Sequence, residues 1–230
     1  MILIKDFIAE LMKLRVPEEF GVYERDCDIL SPNAQKFQDK VLDLARKMNI
    51  RVQIAYGVSQ YVIILPDRTV IKAPFQGFYY GDPYAEDETE CNDDCFESFD
   101  NNYSEVAVEV YQDALLKGIE EMFSKIEKIG FTSNGHPIYK QEYAEPLCSK
   151  KIDVKEDSLT KAREIEIKSK RYLPFDTRWV ALVIEKYGEE EIEKLMDFIE
   201  EEQIGDFHSG NYGFTAAGAP VVFDYSDFNE

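Results

Sequence analysis

The chain has no run of about 18 apolar residues, the length a helix needs to cross a bilayer, so no transmembrane helix is expected. Cysteine is scarce, at four in 230 residues. That is too few for a disulfide scaffold and points to a reducing cytoplasm. Histidine occurs twice and tryptophan once. Basic residues are outnumbered, with 26 Lys and Arg against 46 Asp and Glu, a formal charge of −20. This disfavours general nucleic-acid binding, which rests on Lys and Arg neutralising phosphates. It equally disfavours an anionic membrane surface. A basic protein partner, or mimicry of nucleic acid, remains open. The chain also lacks a G-x-S-x-G elbow, an H-E-x-x-H pair and a Walker G-x-x-x-x-G-K loop, so no competing hydrolase reading arises. The first residues, MILIKDFIAELMKL, carry Lys5, Asp6 and Glu10 among apolar ones. They read as an amphipathic helix and not a signal peptide.

What is present suffices for a sizeable core, in one large domain or two lobes: 44% of residues are hydrophobic and 13% aromatic. Ser31-Pro32 marks a helix start, with Ser as N-cap and Pro in the first turn. Ala34, Phe37, Val41, Leu44 and Met48 follow at spacings of three and four, predicting one apolar helix face to about Asn49. The period then shortens. Residues 50–65 and 69–73, rich in Val, Ile and Tyr and broken near Gly57 and at Pro66-Asp67, predict three antiparallel strands. Residues 75–101 show neither period, and no Lys or Arg occurs between Lys72 and Lys117. This segment reads as an acidic surface insertion, most simply a solvated loop. A helix is expected from Asn102. Two strands follow near 126–132 and 137–143, turning at Asn134-Gly135. After Pro146 the chain reads as mostly helical, with helices near 157–170, 176–187 and 189–202. Short strands at YGFT and PVVFDY close it around Ala217-Gly218.

The C-terminal segment IGDFHSGNYGFTAAGAPVVFDYSDF gathers Asp206, His208, Asn211 and Asp224. The hairpin expected after Asn211 brings Asp224 back beside it. Phosphoryl transfer uses such a set: one carboxylate orients the attacking hydroxyl, while an amide oxygen and a second carboxylate hold Mg²⁺. Hard cations want oxygen ligands and usually keep waters as well.

This D-x-x-x-x-N, followed thirteen residues later by Asp in an apolar strand, resembles the catalytic loop and metal-binding Asp of the protein-kinase-like superfamily. The form D-F-H-S-G-N is most similar to small protein kinases encoded by bacterial viruses and used in host takeover. It is also similar to aminoglycoside phosphotransferases and lipid kinases. Thr69-Val-Ile-Lys72 resembles the third-strand V-A-I-K, which implies that Lys72 contacts the nucleotide phosphates. Glu105, opening the next helix, is then its implied partner, with Glu109 as the alternative. Gln141-Glu142-Tyr143-Ala144 resembles the hinge, where backbone groups of Glu142 and Ala144 would meet adenine.

The resemblance covers roughly residues 50–230 and implies an α+β, bilobal kinase-like fold. Residues 1–49 would be a helical extension. Residues 50–145 would be an N-lobe with a five-stranded antiparallel sheet and the insertion at 75–101, and 146–230 a reduced, mostly helical C-lobe. ATP and Mg²⁺ are the implied cofactors, and a Ser/Thr of a host or self protein the implied substrate, in the host cytoplasm.

The sequence departs from the family at several points. Gly57-Val-Ser59-Gln has one glycine where the family has three; Ser59 or backbone amides would reach phosphate. His208 stands where many protein kinases have Lys, and would either aid the leaving phosphoryl group or fix the loop by hydrogen bonds. Asp224-Tyr-Ser replaces Asp-Phe-Gly, and the sequence ends six residues after Asp224. A catalytically weak pseudokinase binding a host protein through its acidic surface, or a small-molecule phosphotransferase, are the alternative readings. Cys91 and Cys95 form a C-x₃-C more simply read as incidental loop thiols than as a zinc site. Residues 150–171, with eight Lys and Arg against five acids, read as a solvated helix face or as a match for the insertion.

Overall fold

The structure is a computed structural model and describes residues 4–24, 26, 28–80, 96–149, 153–169, 174–205 and 208–225. The described chain is α+β, with six α-helices and a five-stranded antiparallel sheet. None of its helices is long and apolar enough to cross a membrane. It divides into two compact units, Met1–Glu105 with Glu127–Gln141, and Val106–Ile126 with Glu142–Glu230.

The first unit contains α1 (Ile4–Leu11), β1 (Gly21–Tyr23), α2 (Pro32–Lys47) and then β2 (Gln53–Tyr56), β3 (Gln60–Ile64) and β4 (Thr69–Pro74). β5 (Gly77–Tyr79), β6 (Phe96–Ser98), β7 (Ile126–Phe131) and β8 (Pro137–Glu142) follow, and α3 (Tyr103–Lys117) starts here. Ser31 caps α2 as expected, its hydroxyl accepting the Ala34 N–H at 3.3 Å. The five strands lie in the order β2-β3-β4-β8-β7, so β4 is central and β2 is an edge. Alternation along β3 and β4 sends Tyr61, Ile63, Ile71 and Ala73 into one buried cluster with Ile138 of β8. Phe7 and Leu11 of α1 and Phe37 and Val41 of α2 belong to that same cluster. Helices α1 and α2 are therefore part of this unit's core and not a separate extension. An apolar sheet face must be covered, and these two helices join the cluster that does so.

The segment 75–101 also differs from expectation at its ends. β5 and β6 pair antiparallel, and β1 adds in parallel to β5. A Cβ on Gly21 would fall 1.9 Å from the Gly77 carbonyl oxygen, and one on Gly77 would fall 2.0 Å from that of Glu97. Only glycine permits this approach. Three-residue strands whose partners are not joined by a tight turn carry too little pattern to be paired from sequence. Cys91, Cys95 and the centre of the acidic insertion lie outside the described residues.

The second unit holds most of α3, β9 (Ala144–Pro146), α4 (Glu156–Ser169), α5 (Thr177–Tyr187), α6 (Glu189–Glu201), β10 (Tyr212–Thr215) and β11 (Pro220–Val222). Its sheet runs β11-β10-β9. The division falls after Gln141, ahead of Pro146, because β9 pairs with β10. Asp176 caps α5, accepting the Arg178 N–H at 2.8 Å. Its carboxyl is held low by the Arg178 side chain. Trp179, fully buried, stacks on Phe175 at 4.5 Å, and its Nε1–H donates to the Gly213 carbonyl at 3.1 Å. α5 is thereby fastened to β10.

Candidate functional site

The site residues read from the sequence fall on both units, and each set is held differently. In the first unit Lys72 sits on β4, opposite Val62 of β3, and is buried. An ammonium withdrawn from water interacts more strongly with an anion than an exposed one does. Because Ile71 and Ala73 point to the core cluster, Lys72 points to the other sheet face. Tyr139 of β8 alternates with the core residue Ile138 in the same way.

That second face carries a polar cluster the sequence did not announce. Glu105, in the first turn of α3, accepts the Tyr139 hydroxyl at 2.6 Å and the Lys128 Nζ of β7 at 2.6 Å. These bonds, that of Lys128 first, hold its carboxyl below the ordinary carboxylate range. Burial and then the Glu105 bond push the Tyr139 phenol up. The Lys128 ammonium also lies 5.2 Å from the Phe131 ring centroid and 5.7 Å from that of Tyr139. The expected Lys72–Glu105 pair is thus corrected: the partners of Glu105 are Lys128 and Tyr139, both on its Oε2. Two cations share this sheet face, and the α3 acid bonds the one on the outer strand.

The Gly57–Ser59 turn joins β2 and β3. Gly57 and Val58 are exposed, and the Gly57 N–H donates to the Gln60 carbonyl at 3.2 Å. Gly57 has no left-handed φ, and a Cβ there would meet nothing within 4 Å. Its glycine is therefore not demanded by the backbone. Ser59 is tied by its carbonyl, which accepts from the Phe75 N–H at 2.9 Å and the Asn101 Nδ2 at 2.6 Å.

In the second unit the hairpin β10–β11 performs the expected return, with Tyr212 opposite Val222. The Asn211 carbonyl accepts both the Phe223 N–H at 2.9 Å and the Asp224 N–H at 3.1 Å. Asn211 is buried and Asp224 half-buried. The backbones of Asn211 and Asp224 are so held together at the open end of the hairpin. The approach to the turn is equally fixed. The Asn211 N–H donates to the His208 carbonyl at 2.9 Å, and the His208 Nδ1 accepts the Gly210 N–H at 3.0 Å. This supports the loop-fixing role of His208, since Nδ1 must offer its lone pair to the backbone. A Cβ at Gly210 would lie 2.6 Å from the imidazole, so any larger residue there would displace the His208 ring. Asp206, the expected hydroxyl-orienting acid, lies outside the described residues.

The residue after Asp224 is the anchor of this half. Tyr225 is fully buried, meets Phe123 edge-on at 5.2 Å, and donates its hydroxyl to the Ser124 carbonyl at 2.7 Å. Ser124 gives its N–H to Val222 at 2.8 Å and its hydroxyl to the Glu142 carbonyl at 2.6 Å. The Glu142 N–H donates to Lys125 at 2.9 Å. The backbone N–H expected to face adenine is therefore committed, and the carbonyl keeps one lone pair. Ala144 lies in β9 opposite Thr215.

Asn211 and Asp224 offer one neutral and one anionic oxygen donor, a set that fits Mg²⁺ retaining waters. Among the described residues no three His, Cys, Asp or Glu side chains group as a metal site. Asn101, Ser124, Lys128 and Tyr139 were missed by sequence reasoning. Asn101, directly before a helix, had a local signal; the other three had none. The chain matches no family model and no curated protein.

Proposed function

We propose that the chain is an ATP- and Mg²⁺-dependent phosphotransferase of the protein-kinase-like type, acting on a Ser or Thr hydroxyl of a host or self protein. The observation that carries this reading is the hairpin that seats Asp224 against Asn211 on one bifurcated carbonyl. The order of elements supports it: β2, β3 and β4 precede α3, β7 and β8 follow it, and these five strands make one antiparallel sheet with a buried lysine on its central strand. On this reading the first unit is the N-lobe and the second a reduced C-lobe. Lys72 offsets phosphate charge, Asn211 and Asp224 hold the metal, Asp206 orients the attacking hydroxyl and His208 keeps the loop in shape. The metal, when bound, neutralises charge developing on the transferred phosphoryl group.

Labelled ATP with host lysate tests the reading. Lys72→Met, Asp206→Ala and Asp224→Asn should each lower incorporation at least about a hundredfold with the circular dichroism spectrum unchanged. Equal labelling by wild type and all three variants rejects the assignment.

A second reading, a non-catalytic binding module on the same scaffold, is favoured by three bonds. Glu105 is engaged by Lys128 and Tyr139, and the Glu142 N–H by Lys125. Thermal denaturation with ATP and Mg²⁺ separates the two. Ligand at a hundred times its Kd stabilises by about 2.7 kcal/mol. The absence of any shift favours the binding module.

A further inference from the structure

We infer that Asn101 is a positioning residue that sets the Gly57–Ser59 turn for the phosphates of a bound nucleotide. This rests on the nucleotide-binding reading above and adds to it a residue with no part in the motif resemblance. Asn101 lies between β6 and α3. Its Nδ2 donates to two backbone carbonyls, that of Ser59 at 2.6 Å and that of Phe75 at 2.8 Å. Its Oδ1 accepts the N–H of Tyr103, the first residue of α3, at 3.4 Å. One amide thus clamps the end of the β2–β3 turn, the exit of β4 and the start of the helix that carries Glu105.

The turn needs such a clamp. It connects to an edge strand, its tip is exposed, and it lacks a backbone-enforced glycine conformation. The clamp also stands where the acidic insertion leaves the sheet, for the Phe99 N–H donates to Gln76 at 2.9 Å two residues earlier. Only Asn or Gln chemistry gives the two donors together with an acceptor. Loss of two part-buried hydrogen bonds lowers the ordered-to-disordered ratio of the turn by at least about tenfold. With the ordered turn then in the minority, apparent affinity for whatever it grips falls by up to the same factor.

The test is calorimetric binding of ATP with Mg²⁺, and of adenosine, to the full chain. N101D keeps the acceptor for Tyr103 while setting a carboxylate against two carbonyls, so it separates the helix cap from the clamp. N101A removes both. N134A is the control, because the Asn134 side chain likewise bonds backbone within this unit, to Val16 N at 3.1 Å and Val16 O at 2.8 Å, but not at the turn. The expected result is an ATP Kd raised about tenfold in N101D and N101A, with adenosine within about twofold. N134A should lower the urea midpoint and leave both affinities alone. Wild-type binding of ATP with unchanged affinity in N101D and N101A overturns the role of Asn101 and leaves the nucleotide reading standing. Equal weakening of ATP and adenosine overturns it too, since the effect would then be general. A wild type that binds neither ligand takes down the nucleotide reading and this inference with it.

Discussion

In the first unit Lys72, Tyr139 and Lys128 stand on strands of one sheet, where pairing fixes which face each occupies. In the second, Asn211 and Asp224 stand at the ends of a hairpin whose strands are four and three residues long. Their geometry comes from single bonds: the Asn211 carbonyl, the His208 imidazole, the Tyr225 hydroxyl and the Trp179 indole. The difference teaches where each half is vulnerable. Sheet-borne residues keep their direction unless the register slips. Hairpin-borne residues depend on a few aromatic anchors.

The comparison is broken most directly at the anchor of the second unit. Trp179→Ala removes a fully buried indole and its hydrogen bond to Gly213. It should cost about 4 kcal/mol by urea denaturation. A cost under about 1 kcal/mol would show that the hairpin does not hang on this side chain.

The first unit has its own weak point, which is chemical. His136 is buried, meets Phe20 edge-on at 5.7 Å, and its Nε2 has no hydrogen-bond partner. Burial lowers its pKa from 6.5 to about 4, against a smaller opposing effect of its bond to the Pro74 backbone. The unfolded chain takes up the proton below about 6.5 and the folded chain only below about 4. Stability is therefore complete above the upper value and is lost as pH falls between the two, by about 3 kcal/mol in all. His136→Phe should flatten that part of a urea-midpoint profile between pH 7 and 4.5. A profile identical to wild type would remove His136 from the account.

Tyr225→Phe sharpens the comparison at smaller scale. It deletes the hydroxyl bonded to Ser124 and leaves the ring on Phe123. The expected cost is about 1 kcal/mol. Nucleotide-dependent stabilisation should also fall, because Asp224 is the preceding residue. Gly57→Ala is the smallest change. With no left-handed φ and open space at its Cβ, alanine there should leave stability unchanged or raise it by about 0.5 kcal/mol. A loss above about 1 kcal/mol would mean that the turn needs a conformation alanine disfavours.

Much of this architecture was legible beforehand. The α2 face, the Asn134-Gly135 turn with Gly135 at φ +83° and the closing hairpin with Gly218 at φ +82° lie where residue spacing and turn chemistry put them. The pairing of β5 with β6 was not legible, because its partners are separated by the acidic insertion and each is three residues long. The partner of Glu105 was misjudged for a similar reason. The resemblance implied Lys72 as its partner, but three strands carry candidates, and it is Lys128 and Tyr139 that bond it.

Local chemistry alone determined the helices, the hairpins, the apolar side of each and the adjacency of Asn211 to Asp224, because all of these depend on residues within a few positions or across one tight turn. Only tertiary structure decided that Asn101 holds Ser59 and Phe75, 42 and 26 positions away, and that Glu105 answers to Lys128 and Tyr139, 23 and 34 positions away. The packing of sheet against helix chose those partners, and no spacing in the chain encodes that choice.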